Sequence, residues 1–187
     1  MYFYNFIVIY LAISISNGFF FRDPPLNKNG KLNTESKDFL IKYFNANKTN
    51  RHLTYESFTR LFNSYKWLHG MEDSDIDKLF TDEVKSKKGL MKLNTFLKQS
   101  TECIKKTESL YTLRYNNSLN EEKKMTLNEL KKALLVKELG IAEELVTTLI
   151  TDYNFTNEQD ISFIEFRKIF MLIIYGHNLI KPIKNDL

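Results

Sequence analysis

IAEELVTTLITDYNFTNEQDISFIEF, residues Ile141 to Phe166, changes character twice. Leu145, Val146, Leu149 and Ile150 fall on one stripe at helical spacing, so the first part predicts an amphipathic helix. A polar stretch follows, and then Ile161 and Phe166, five places apart, open a second apolar segment. The whole reads as helix, polar loop, helix.

The same apolar residue followed five places later by Phe or Leu occurs at Leu53 and Phe58, Met91 and Phe96, Met125 and Leu130, and Ile161 and Phe166. The steps between first members are 38, 34 and 36 residues, a spacing that marks an internal repeat. Each instance follows a polar stretch and opens a segment of helical periodicity, such as Phe58, Leu61, Phe62 and Tyr65. Another amphipathic segment, for example Phe39, Leu40, Tyr43 and Phe44, precedes the polar stretch. The expectation is an all-α chain of four helix-loop-helix units.

A loop of about 12 residues between two helices can aim alternate oxygens at one point, while an apolar residue at its eighth position pairs with a sister loop. Here the chain resembles the EF-hand family, in particular its calmodulin-like four-hand members, over roughly residues 34 to 176. The resemblance implies EF-hand-like units arranged as two pairs, residues 34–105 and 106–187. It also implies calcium as the ligand, held weakly and at most in the C-terminal pair.

Loop by loop, the carry-over is uneven. In the fourth loop Asn154, Thr156, Glu158, Asp160 (through its carbonyl), Ser162 and Glu165 match ligand positions, with Gln159 where the family has Gly. An alternative frame starts at Asp152 and needs a two-residue insertion. Only Glu158 and Glu165 bring carboxylates, which places affinity near 10⁻⁴ M, on the order of the weak end of the family. The third loop offers Ser118, Asn120, Glu122, Thr126 and Glu129, but Lys123 and Lys124 occupy its middle. The second keeps Gly89 at position 6, yet Val84, Lys88 and Thr95 stand at ligand positions. The first, from Asn45 to Ser57, has Lys48 and Arg51 and no carboxylate in its first half. Both are read as unable to hold an ion.

A competing reading attaches to the two best glutamates. Thr126 with Glu129, and Ser162 with Glu165, are each [ST]-x-x-E capping boxes that need no metal. Ser74 to Asp77 likewise reads as a helix cap.

Phe6 to Ile15 is an apolar run too short to span a membrane, and with Ser16-Asn17-Gly18 after it residues 1–18 read as a secretory signal peptide. Residues 19–33, with Pro24-Pro25 and Asn29-Gly30, are expected to be a flexible lead-in. The mature chain is expected to be secreted or luminal without a membrane span, and Lys184 to Leu187 loosely resembles a luminal retrieval signal. In that setting Asn47, Asn116 and Asn154 are glycosylation acceptors. Cys103 is alone, so no internal disulfide is available, and it reads as a buried small residue. His52, His69 and His177 lack ligand spacing and read as structural or solvated.

Net charge is +4, from 27 Lys and Arg against 23 Asp and Glu, too balanced for a nucleic-acid groove. No G-x-S-x-G, H-E-x-x-H or phosphate-loop motif occurs, so nothing supports an enzyme. Two functions remain. One is a secreted, non-catalytic EF-hand protein with weak calcium binding. The other is a metal-free EF-hand scaffold acting as a structural or protein-interaction module. The apolar run Ile169 to Tyr175 reads as core, or as a Met171-containing groove for a protein or peptide partner. An unrelated bundle of six to eight helices is the remaining fold alternative.

Overall fold

A computed structural model describes residue 21 and residues 23–135, 143–152 and 159–180. The expected signal peptide, residues 1–18, lies outside them. Among the described residues the chain is all-α, with isolated bridges in place of strands. It divides into two compact units that meet in sequence between Glu108 and Ser109.

In the N-terminal unit, residues 23–33 of the expected lead-in form a hydrogen-bonded turn. Leu26 and Leu32 bridge, and Asn27 Oδ1 accepts the amides of Asn29 and Lys31. Asn33 closes it by donating from its backbone to Pro25 O and from Nδ2 to Pro24 O, both at 2.8 Å. The same side chain caps helix α1 (Thr34–Asn47) through the Ser36 amide at 2.8 Å, so one asparagine anchors the turn and starts the helix. Helix α1 buries Ser36, Leu40 and Phe44, four residues apart on one face.

Helix α2 (Tyr55–Ser64) is capped by Thr54 and buries Phe58, Leu61 and Phe62. The helical run ends at Tyr65, and a single turn, α3 (Lys66–His69), stops at Gly70, whose φ of 60° is the left-handed closure glycine adopts without strain. Helix α4 (Asp73–Val84) buries Ile76 and Phe80. Its N-cap is Glu72, not Ser74; Asp73 and Asp75 in the first turn supply negative charge to the exposed amides instead.

Helix α5 (Leu93–Asn117) is continuous and spans the sequence boundary between the units. In the N-terminal unit its Phe96 joins Phe44, Phe58 and Phe80. Phe58 stacks on Phe62 at 4.3 Å and meets Phe80 at 5.4 Å and Phe96 at 6.4 Å between ring centroids. Leu53 and Met91, both 0% exposed, exchange backbone hydrogen bonds of 2.9 Å in each direction. The loop before α2 and the loop before α5 are thereby tied at their apolar positions.

The C-terminal unit holds the end of α5 with α6 (Leu127–Leu134), α7 (Glu143–Asp152) and α8 (Phe163–Ile180). Met125 and Ile161 are again 0% exposed, and the Ile161 amide donates to Met125 O at 2.8 Å. Phe166 stacks on Phe170, and Tyr111 and Tyr115 of α5 meet Phe170 and Phe166 at 5.5 Å. Ile169, Phe170, Met171 and Ile173 are buried in this unit. Arg167 is buried too, its guanidinium 5.8 Å from the Tyr111 ring centre, while Arg114 lies 5.1 Å from that of Phe170. The two cations thus rest on aromatic faces. No described helix is long and apolar enough to cross a membrane.

Candidate functional site

The four loops that carry the expected ligand residues differ in how they are closed. The first is folded onto itself. Thr49 and His52 exchange backbone hydrogen bonds of 2.7 and 3.0 Å around Asn50 and Arg51, whose φ values are 50° and 66°. Positive φ at both central residues is the type I′ hairpin geometry. Asn47 Nδ2 donates to Tyr43 O, and Lys48 Nζ donates to Asn45 Oδ1 at 2.7 Å. Asn47 is half-buried through this contact, whereas Asn116, the second expected glycan acceptor, is exposed. Asn154, the third, lies outside the described residues.

In the second loop Lys85 takes the left-handed position that ends α4, with φ 66°. Lys87 pairs with Asp77 and sits 4.7 Å from the centre of the Tyr55 ring, whose hydroxyl also donates to Asp77. The Lys87 and Tyr55 hydrogen bonds hold the Asp77 carboxyl below the usual range. Gly89 does not take the positive φ expected of a sixth loop position. It is required by space instead: a Cβ there would lie 2.3 Å from Val84 Cγ1.

The third loop's expected ligands are each engaged by groups of the chain itself. Ser118 Oγ donates to Arg114 O at 2.8 Å. Asn120 Oδ1 accepts from the Lys124 amide at 3.0 Å, and the Asn120 amide donates to Lys124 O at 2.9 Å. Lys124 Nζ reaches Glu122 Oε2 at 3.0 Å. This hydrogen bond, together with the charges of Glu122 and Asp160, raises the lysine above its ordinary range. The turn is made at Lys123, with φ 62°, an αL geometry that costs a residue with a Cβ about 1–2 kcal/mol. Glu129 accepts from Thr126 Oγ1 and lies 3.4 Å from Lys132; the Thr126 bond is the first cause of its lowered carboxyl pKa.

Of the fourth-loop residues, Asn154, Thr156 and Glu158 lie outside the described residues. Ser162 donates from its amide (2.8 Å) and its hydroxyl (2.7 Å) to Glu165 Oε2, and the Glu165 amide donates back to Ser162 Oγ at 3.3 Å. That is a closed capping box at the start of α8. The Asp160 side chain joins the loops: its Oδ1 accepts the Met125 amide at 3.2 Å. The Ile161 carbonyl accepts the Tyr115 hydroxyl at 2.9 Å. Burial first, and then the charges of Asp160 and Glu165, push that hydroxyl's pKa up.

The capping box at Glu165 was legible as an [ST]-x-x-E pattern; at Glu129 the same pattern gives only the Thr126 hydroxyl to Glu129 bond, with no side-chain cap on the helix amides. Lys124 on Glu122 and the Asp160 to Met125 bond were not legible, since neither follows from a local spacing rule. Among the described residues no three His, Cys, Asp or Glu side chains cluster as a metal would need. No family model matches the chain, and neither a curated protein nor a solved structure matches it.

Proposed function

We propose that the chain is a non-catalytic protein of four EF-hand-like units arranged as two pairs, working as a metal-free structural or protein-interaction module. Two observations support the pairing: the reciprocal Leu53 and Met91 hydrogen bonds, and the Ile161 to Met125 bond between the other two apolar loop positions. The left-handed Lys123, at the third loop's sixth position, supports the family reading there.

The observation that carries the metal-free reading is the third loop's own chemistry. Its Asn120 oxygen is bonded to the Lys124 amide, and its Glu122 carboxylate to the Lys124 ammonium. Calcium would have to displace a tethered cation and break an internal turn. The secretory setting stands with this proposal as an expectation, with the exposed Asn116 as the acceptor best placed for a glycan. Partner contact at the C-terminal apolar helix would start from Ile164, which is 41% exposed, since Met171 is only 2% exposed.

A second reading, weak calcium at the fourth loop, is favoured by one observation: the charges of Asp160 and Glu165 both bear on the Tyr115 hydroxyl. Calorimetric titration of the full chain with calcium separates the two. A site with a dissociation constant near 10⁻⁴ M would add about 1.4 kcal/mol at roughly 1 mM calcium, a rise in Tm of about 3–5 °C. The metal-free proposal expects no binding heat and no rise. Heat that Glu165→Gln abolishes would replace it with the second reading, and heat that survives Glu165→Gln would put the ion in another loop.

A further inference from the structure

His69 ends α3 at the join between α2 and α4, and it is 0% exposed. Both ring nitrogens are engaged. Nδ1 accepts the Met71 amide at 3.0 Å, so it carries no proton, and Nε2 donates to Phe62 O at 2.8 Å. The ring is therefore neutral in one tautomer, fixed by a donor on one side and an acceptor on the other. It also packs 6.2 Å from the Phe62 ring, centre to centre.

A proton added at Nδ1 would face the Met71 N–H, placing two donors against each other in a site without solvent. It would also create a charge beside cations. Lys66 on the same turn and Lys106 on α5 both act on the ring and disfavour its charged form. The nearby carboxylates are already taken up by those lysines: Asp73 and Glu72 by Lys66, and Asp75 by Lys106. Desolvation is the largest cause of the lowered histidine pKa, ahead of the opposing Phe62 bond and the two lysines.

We propose that His69 is an acid-released latch: neutral, it seals the α2–α3–α4 join by holding the Phe62 carbonyl and the Met71 amide, and on protonation it lets that join open. Met71, itself buried, is the side chain freed with it. The sign follows from linkage. The folded-state pKa lies below the unfolded value of about 6.5, so the latch contributes fully above that pH and weakens as pH falls through the window beneath it. With one proton taken up on opening, the opening equilibrium rises about tenfold per pH unit within that window.

The test uses the full chain between pH 7.5 and 5.5. Histidine Cε1–H signals are followed by NMR, and Met71 amide protection is followed by hydrogen exchange corrected for its intrinsic pH dependence. The expected result is a His69 ring that stays neutral where a free histidine charges, with Met71 protection falling about tenfold per unit below pH 6.5. The His69→Gln variant, which keeps polar atoms and cannot charge, is expected to lose that pH dependence. An ordinary His69 titration with unchanged Met71 protection would overturn the proposal, and so would a His69→Gln variant that keeps the wild-type slope. Should that variant fail to fold, the wild-type Met71 protection decides alone, and its independence of pH would overturn the latch.

Discussion

Replacing Asp160 with Ala removes the acceptor of the Met125 amide, and Met125 is 0% exposed. A buried N–H left without a partner costs about 1–3 kcal/mol. Asp160 itself is exposed, so water can reach its side of the gap, and the lower half of that range, about 1–2 kcal/mol, is the expectation. With a urea slope of about 2 kcal/mol/M, mid-range for a small protein, the midpoint of the C-terminal unit should fall by roughly 0.5–1 M. Asp160→Asn keeps an oxygen at the same place and loses only the charge, so it should cost about 0.5 kcal/mol. The measurement is urea unfolding of the three proteins side by side, with Met125 amide exchange to locate the effect. An Ala variant with an unmoved midpoint and equally slow Met125 exchange would refute the claim that this carboxylate joins the loops. An Asn variant as unstable as the Ala variant would show that the charge, not the hydrogen bond, is what matters.

Two further outcomes are expected. Burial pushes the Cys103 thiol up to about 12; a thiol reagent at pH 8 should leave the folded protein unmodified and label one site only after denaturant is added, and fast labelling of the folded chain would contradict its burial. Gly89→Ala forces a methyl into Val84 Cγ1, so thermal melting should show a loss of about 1–3 kcal/mol; a neutral result would mean the second loop can shift away from Val84 freely.

The sequence pattern and the coordinates agree most closely where a short-range rule is sufficient. Leu53, Met91, Met125 and Ile161 stood out because an apolar side chain within a polar loop has no favourable place in water, and all four are buried. The box at Ser162 with Glu165 stood out because capping acts over three residues, whereas at Thr126 the same pattern yields a bond between the two side chains and no cap. The N-cap of α4 was misplaced at Ser74, since several acidic and hydroxyl residues there can each begin a helix and only the chain path from Gly70 selects Glu72. His69 gave no local sign of lying wholly inside, and Arg167 sits among apolar neighbours where a charged residue is normally a surface marker. Each has a partner distant in sequence, the Tyr111 ring beside Arg167 and Lys106 acting on His69. The Asn50 and Arg51 hairpin is local but lacks the glycine that usually marks one.

The loops bear on function through what closes each of them. An ion-binding loop leaves its oxygens converging on an empty point, held apart until a cation neutralises them. The first loop abandons that geometry for a two-residue hairpin, the second commits Lys87 to Asp77 and the Tyr55 face, and the third commits Lys124 to Glu122. Each of these closures is made by groups attached to the chain, so their effective concentration is fixed and does not follow calcium. On the proposed reading the paired loops are therefore permanently in their closed arrangement, and the surfaces they support are available without a metal signal. The fourth loop is where this reasoning is most exposed, because the charges of Asp160 and Glu165 both bear on the Tyr115 hydroxyl. A calcium-dependent shift confined to Tyr115, whose hydroxyl donates to the Ile161 carbonyl and is acted on by both carboxylate charges, would reveal an ion there; tyrosine fluorescence or ring NMR signals unchanged by millimolar calcium are the result the metal-free reading requires.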